Sequence, residues 1–252
     1  SSPPPSAPPS VPPPPAGPEG PPPPSAPSPS PPPCGGTTNG RADLVLVLDE
    51  SGSMAGDPMD DLKTFSKQLV NHFVLGPDDF RVSVVSFNQV VFAAPPAVNT
   101  RITWSTDQSA IETAIDALSG AGNTPTSYGL NAAGTLLDSA RADTKTIVFL
   151  FADGIQNVRY CGSTGSTYEC ANAPGSCTFN QPSCTQLPVI AANALKAHAT
   201  NPTIFAWGWN HPDNMNEPEG AVLEMLQAVA SNPSYATMAG TLGGPLELLE
   251  HL

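Results

Sequence analysis

In the stretch DLVLVLDESGS (43–53), five apolar residues run without a polar break and are followed by a carboxylate and two hydroxyls at alternate positions. In an extended or looping backbone, positions i, i+2 and i+4 project to one side. Asp49, Ser51 and Ser53 can therefore converge on a single point. A donor set made only of oxygen suits a hard cation, Mg²⁺ or Mn²⁺, better than zinc. A second apolar run, TIVFLFA (146–152), also ends in a carboxylate, Asp153.

The elements that would carry these side chains can be read from the hydrophobic pattern. LVLVL (44–48) is apolar at every position, as expected of a strand covered on both faces of a parallel sheet. RVSVVSF (81–87) and VVFAA (90–94) read as strands joined by a turn at Asn88-Gln89, hence antiparallel neighbours. TIVFLFA and PTIFAWGW (202–209) are further core strands, and SYATMA (234–239) is a weak edge strand. Helices are expected over 57–74, where Leu62, Phe65, Leu69 and Phe73 form one apolar face, and over 107–118, capped by Thr106 or Asp107. Others are expected over 125–142, opening on Pro125, and over 188–198, 217–230 and 245–252. The expected fold is α/β: a doubly wound, mostly parallel central sheet with one antiparallel edge strand and helices on both faces. Ligands of such sheets gather at the carboxyl ends of the strands, near the switch point of strand order. Asp49 and Asp153 both fall there.

Here the sequence resembles the von Willebrand factor A-type domain, which integrin I domains, matrix proteins and surface adhesins share. DESGS (49–53) resembles its Asp-x-Ser-x-Ser motif, SGAGNTPTSYGLNAA (119–133) its Gly-rich loop with a threonine before a helix, and FADG (151–154) its strand-ending Asp-Gly. The three occur in family order. The resemblance implies a metal-ion-dependent adhesion site built from Asp49, Ser51, Ser53, Thr124 and Asp153, with Thr126 as the alternative threonine. It implies Mg²⁺, or Mn²⁺ or Ca²⁺, as the ion. Two carboxylates and three neutral hydroxyls leave such an ion short of charge and ligands, so it keeps water at its open face. An Asp or Glu carboxylate of a protein or glycoprotein partner could take that position. Integrin β subunits hold a second ion nearby, but the spacing from Met54 to Asp60 departs from theirs. Asp57, Asp60 and Asp61 fit the first turn of a helix, where the dipole favours acids.

Composition bounds the rest. Of 252 residues, 33 at the start hold 19 of the 32 prolines and a single charge, Glu19. That segment cannot bury a core and is expected to be a disordered, polyproline II stalk, reaching roughly 100 Å if fully extended. Residues 34–41 read as a flexible joint and 42–252 as the A-type domain. The formal net charge of −13, with 9 Lys+Arg, argues against nucleic acid and anionic membranes. No apolar run is long enough to span a bilayer.

Cys161, Cys170, Cys177 and Cys184 crowd into a Gly/Ser/Thr/Asn/Pro-rich insertion, 155–187. With no Cys-x-x-Cys pair, two disulfides of undetermined connectivity are expected ahead of a zinc knuckle, which implies an oxidising, extracellular setting. Cys34 is left over and could join the loop cysteines or link to a partner chain. The insertion follows Asp153 directly, so it is expected to rise beside the metal face. It is either a stapled ornament or a loop that selects the partner, with Tyr160, Tyr168 and Phe179 as contact candidates. His72, His198, His211 and His251 form no ligand pair. Trp207 and Trp209 share one face of a strand, as core residues would.

No Gly-x-Ser-x-Gly, P-loop or dinucleotide fingerprint occurs. A phosphatase built on Asp49 would want a second acid at position 51, which is Ser. A binding module is therefore expected rather than an enzyme. It is either a reversible adhesin held off a surface by its stalk or a permanently assembled part of a matrix, wall or appendage. SAPSPSPPP (25–33) resembles hydroxyproline-rich wall glycoproteins, which fits both.

Overall fold

The computed structural model describes residues 41–88, 97–154, 156, 158–159, 175–176, 182–209 and 220–239. Six strands form the central sheet: β1 (Ala42–Asp49), β2 (Phe80–Asn88), β3 (Ala97–Ser105), β4 (Lys145–Ala152), β7 (Thr203–Trp209) and β8 (Ala236–Ala239). They are ordered β3-β2-β1-β4-β7-β8. Only β3 runs antiparallel to its neighbour, β2, and the other pairs are parallel. A separate two-stranded antiparallel ladder joins β5 (Val158–Arg159) to β6 (Gly175–Ser176) within the insertion.

All eight residues of β1 are buried, because helices cover both faces of the sheet. Leu44, Leu46 and Leu48 face one layer with α1 (Asp57–Asn71) and α2 (Gln108–Asp116); Leu62, Phe65, Leu69, Ile111 and Ile115 complete that core. Val45 and Val47 face the other layer, with α3 (Thr126–Leu137), α4 (Pro182–Lys196) and α5 (Ala221–Val229). Trp207 packs edge-on to Phe65, ring centroids 4.2 Å apart, and 6.5 Å from Trp209, so both tryptophans serve the core. The doubly wound architecture with one antiparallel edge strand is the one expected from the sequence.

Local boundaries differ in instructive ways. The antiparallel partner of β2 is Ala97–Ser105, a segment the apolar runs did not flag; the expected strand at 90–94 lies outside the described residues. In this edge strand Val98 and Trp104 pack on one core layer and Ile102 on the other, and the pairing with β2 shifts register beside Val84, so neither a continuous apolar run nor a strict alternation marks it. α4 begins at Pro182 and passes through Pro188, so the expected start at 188 is corrected by six residues. α3 opens at Thr126, with Pro125 in the cap position at φ −93°, and ends at Leu137 rather than near 142. α1 places Asp57 and Asp60 in its first turn, as expected, but Asp61 falls just beyond it. Asp107 caps α2 by accepting from the Ala110 amide at 3.1 Å. The expected helix at 245–252 lies outside the described residues.

Candidate metal site

β1 and β4 lie side by side in parallel register, Leu48 opposite Phe151, and the chain leaves β1 toward β2 on the opposite flank. Their carboxyl ends therefore meet at the point where strand order reverses, the crevice in which open α/β sheets bind ligands. Asp49 ends β1, and Asp153 follows β4 by one residue.

The loop after β1 folds the motif together. The Ser51 amide donates to Asp49 Oδ1 at 2.7 Å, a local closure that Asp side chains favour. Gly52–Met54 then makes one 3₁₀ turn, pinned by the fully buried Met54. The Ser51 and Ser53 hydroxyl oxygens stand 3.1 Å apart, and Ser51 Oγ donates to Asp153 Oδ1 at 3.5 Å. Asp49, Ser51, Ser53 and Asp153 are thus brought to one place. Asp49 and Asp153 are both fully buried. Burial, and then repulsion from Asp153, push the Asp49 carboxyl well above the ordinary carboxylate range, against the opposing hydrogen bond from the Ser51 amide. Asp49 Oδ2 is buried without a hydrogen-bond partner among the described residues.

The Gly-rich loop is stitched to this turn. The Gly52 amide donates to Gly122 O at 2.8 Å and the Ala121 amide to Glu50 O at 2.8 Å. Gly122 has φ 81°, a left-handed conformation that glycine adopts without strain. At Gly120 a Cβ would stand 2.5 Å from the Ala55 nitrogen, so only glycine allows the two loops to approach this closely. Two residues beyond Gly122 comes Thr124, which is buried, while Thr126 opens α3 and is fully buried.

Two residues that the sequence reading did not single out hold this constellation. Glu50 is fully buried and receives the Arg101 guanidinium at 2.6 and 2.8 Å and the Ser119 amide at 2.7 Å. Gln156 is also fully buried, and its Oε1 accepts from the Ser127 amide of α3 at 2.8 Å, tying the start of the insertion to that helix. A lone acid or amide gives no sequence signal, although the position of Glu50 inside the motif was a clue.

Of the remaining candidates, Cys34, Tyr160, Tyr168, Phe179, Cys161, Cys170 and Cys177 lie outside the described residues, as do His211 and His251. Cys184 falls on α4. His198 contacts Asp138 at 3.1 Å and Thr200 at 3.0 Å and takes part in no metal cluster. Among the described residues no three His, Cys, Asp or Glu side chains form a metal-holding group. The candidate site instead combines two carboxylates with hydroxyls.

The family model for the von Willebrand factor type A domain matches residues 43–173. The chain belongs to this family. The match takes in the motif loop, the Gly-rich loop and Asp153. Among solved structures, this A domain is similar to the vWF domain of the type V pili tip protein Mfa5 from Porphyromonas gingivalis, at 15% identity and TM-score 0.60, covering 85% of this chain and 94% of that one. It covers 48% of a three-domain piece of the same pilus protein. Proximal thread matrix protein 1 from the mussel byssus, with a zinc-occupied MIDAS motif, matches at 20% identity and TM-score 0.58, over 84% of this chain and 44% of that one. Manganese-loaded TRAP protein from Plasmodium vivax matches at 17% identity and TM-score 0.57, over 84% and 72%. At these identities the likeness is one of fold. A search of curated proteins finds no match.

Proposed function

We propose that this A domain is a non-enzymatic adhesion or assembly module of an extracellular surface or matrix. In this reading it captures a protein or glycoprotein through one divalent cation held by Asp49, Ser51, Ser53, Thr124 and Asp153. The observation that carries the reading is Asp49 Oδ2, a buried carboxylate oxygen with no hydrogen-bond partner among the described residues, beside a second buried carboxylate. Two such groups repel in a low-dielectric crevice, and a cation between them would relieve both the repulsion and the missing partner. The donors are all hard oxygens, which fits Mg²⁺, Mn²⁺ or Ca²⁺. When bound, the ion would supply an open coordination position to a partner's Asp or Glu. The chain's own part is to hold the hydroxyls and carboxylates fixed and to present that face at the sheet's edge.

The solved neighbours support this choice of class: a pilus tip protein, a byssus matrix protein with zinc in the corresponding motif, and a manganese-loaded parasite protein. Mg²⁺ leads because hydroxyl and carboxylate oxygens favour it over zinc. The proline-rich residues 1–33 would be a stalk, 34–41 a joint and 42–252 the binding domain. The insertion 155–187, stapled by its four cysteines, would select the partner, and Cys34 would be available for a link between chains. The net charge of −13 supports a partner other than nucleic acid. No described helix is long and apolar enough to cross a membrane.

A second reading, permanent assembly into a matrix, is favoured by the byssus neighbour. Extraction of the native protein from its source with and without chelator separates the two. Release by EDTA and rebinding on return of Mg²⁺ support the adhesin, and retention through EDTA supports the structural part. Binding to the isolated surface that is indifferent to both EDTA and Asp49→Ala would overturn the metal-mediated reading.

A further inference from the structure

We propose that Glu50, anchored by Arg101, is the positioning residue that registers the two metal-site loops against each other before any ion arrives. The inference rests on the metal-site reading above and extends it to residues outside the donor set.

Glu50 sits between Asp49 and Ser51. Because neighbouring residues of an extended chain project to opposite sides, its side chain is directed away from theirs. Every polar group it owns is committed. Its amide donates to Phe87 O at 3.0 Å, and its carbonyl accepts from the Ala121 amide at 2.8 Å. Its carboxylate takes Arg101 Nη2 at 2.8 and 2.6 Å and the Ser119 amide at 2.7 Å. Arg101 is fixed in turn, its Nε donating to Ser86 Oγ at 2.9 Å. One residue thereby joins β1, the end of β2, the edge strand β3 and the Gly-rich loop that carries Thr124.

A buried ion pair is a weak source of net stability, since an apolar pair of the same volume often serves as well. What this pair supplies is geometry and charge balance. Arg101 neutralises Glu50, so Glu50 would add no net charge beside the cation. The bonds to Ser119 and Ala121 fix how far the Gly-rich loop stands from the Asp-x-Ser-x-Ser turn. Groups that orient metal ligands from behind typically change metal affinity by about 10–100-fold when lost.

The test uses the whole 252-residue chain and Mg²⁺ as the probe, with Arg101→Gln, Arg101→Lys and wild type compared well below their melting temperatures. In the metal-free protein, the inference expects amide exchange at Ser119 and Ala121 to accelerate at least about 10-fold in Arg101→Gln, while the Val47 and Val148 amides keep wild-type rates. It expects Mg²⁺ affinity to fall about 10-fold or more. Arg101→Lys, which keeps the charge but loses the fork to Ser86, should fall between. Should Arg101→Gln fail to fold, Arg101→Lys carries the same comparison. Wild-type Mg²⁺ affinity in a folded variant would overturn the inference, leaving Glu50–Arg101 as stabilisation only. Tighter binding would overturn it too, because an uncompensated Glu50 charge would then be attracting the ion. Failure of the wild type itself to bind Mg²⁺ would remove the metal reading and this inference with it.

Discussion

The Ser51 hydroxyl stands 3.5 Å from Asp153 Oδ1 although 102 residues separate them in the chain. The contact exists because β1 and β4 are parallel neighbours whose carboxyl ends finish at the same level. Two buried carboxylates share the crevice at those ends, and burial together with repulsion from Asp153 disfavours the charged form of Asp49 there. Several consequences can be measured.

Replacing Asp49 by Asn removes a carboxyl whose ionisation is opposed by burial and by Asp153. The metal-free variant should melt a few degrees higher than wild type, at about 2–4 °C per kcal/mol for a domain of this size. The same change should abolish stabilisation by Mg²⁺. Scanning calorimetry with and without EDTA reads both effects.

A saturating ion should stabilise the wild type by mass action. At 100 times its dissociation constant this amounts to about 2.7 kcal/mol, or roughly 5–10 °C in midpoint. EDTA should return the melting curve to its metal-free position, and Ca²⁺, Mn²⁺ and Zn²⁺ should rank differently from Mg²⁺ in the size of the shift.

At the opposite end of the sheet, fully buried Asp43 is held by Arg81 at 2.7 Å and by Arg141 at 2.8 Å. Burial alone would raise its carboxyl, but hydrogen bonds and charge from the two arginines outweigh it and hold the group below the usual range. A folded pKa below the unfolded value of about 3.9 contributes stability above that pH. The contribution is lost as pH falls from about 4 through the folded pKa. Asp43→Asn should cost about 1–3 kcal/mol at neutral pH, by leaving two half-buried guanidinium groups without their carboxylate. Melting temperature followed from pH 6 to 2 should show a smaller acid decline in this variant than in wild type.

Gly120→Ala would push a Cβ to 2.5 Å from the Ala55 nitrogen and 2.9 Å from the Met54 carbonyl carbon, both main-chain atoms that cannot rotate away. The loops must separate, at a cost of about 1–3 kcal/mol. Mg²⁺ affinity should fall as well, because the Gly-rich loop shifts relative to Ser51 and Ser53. Denaturant melts and calorimetric titration of the variant read the two effects separately.

Most of the sheet was legible because two-sided burial writes itself as uninterrupted apolar runs: Leu44 to Leu48, Ile147 to Ala152 and Ile204 to Trp207 are all buried. The edge strand β3 was missed because its large apolar residues, Val98, Ile102 and Trp104, are only half-buried, are separated by polar ones and are divided between the two core layers where the register with β2 shifts. The start of α4 was misplaced because Pro188 reads as a helix opening, whereas here it lies within the helix. At the site, Asp49, Ser51 and Ser53 were recognisable because their convergence is encoded in local spacing, and Asp153 because it ends a buried run. Glu50 and Gln156 were not, since each is defined by a partner remote in sequence: Arg101 is 51 positions from Glu50, and Ser127 is 29 from Gln156.

The most direct test of the central claim is calorimetric titration of Mg²⁺ into the intact chain and its Asp49→Ala variant. One saturable site in the wild type, absent from the variant, is the predicted result. Absence of binding in the wild type, or equal binding in the folded variant, would contradict the assignment of Asp49 and its neighbours as a cation site.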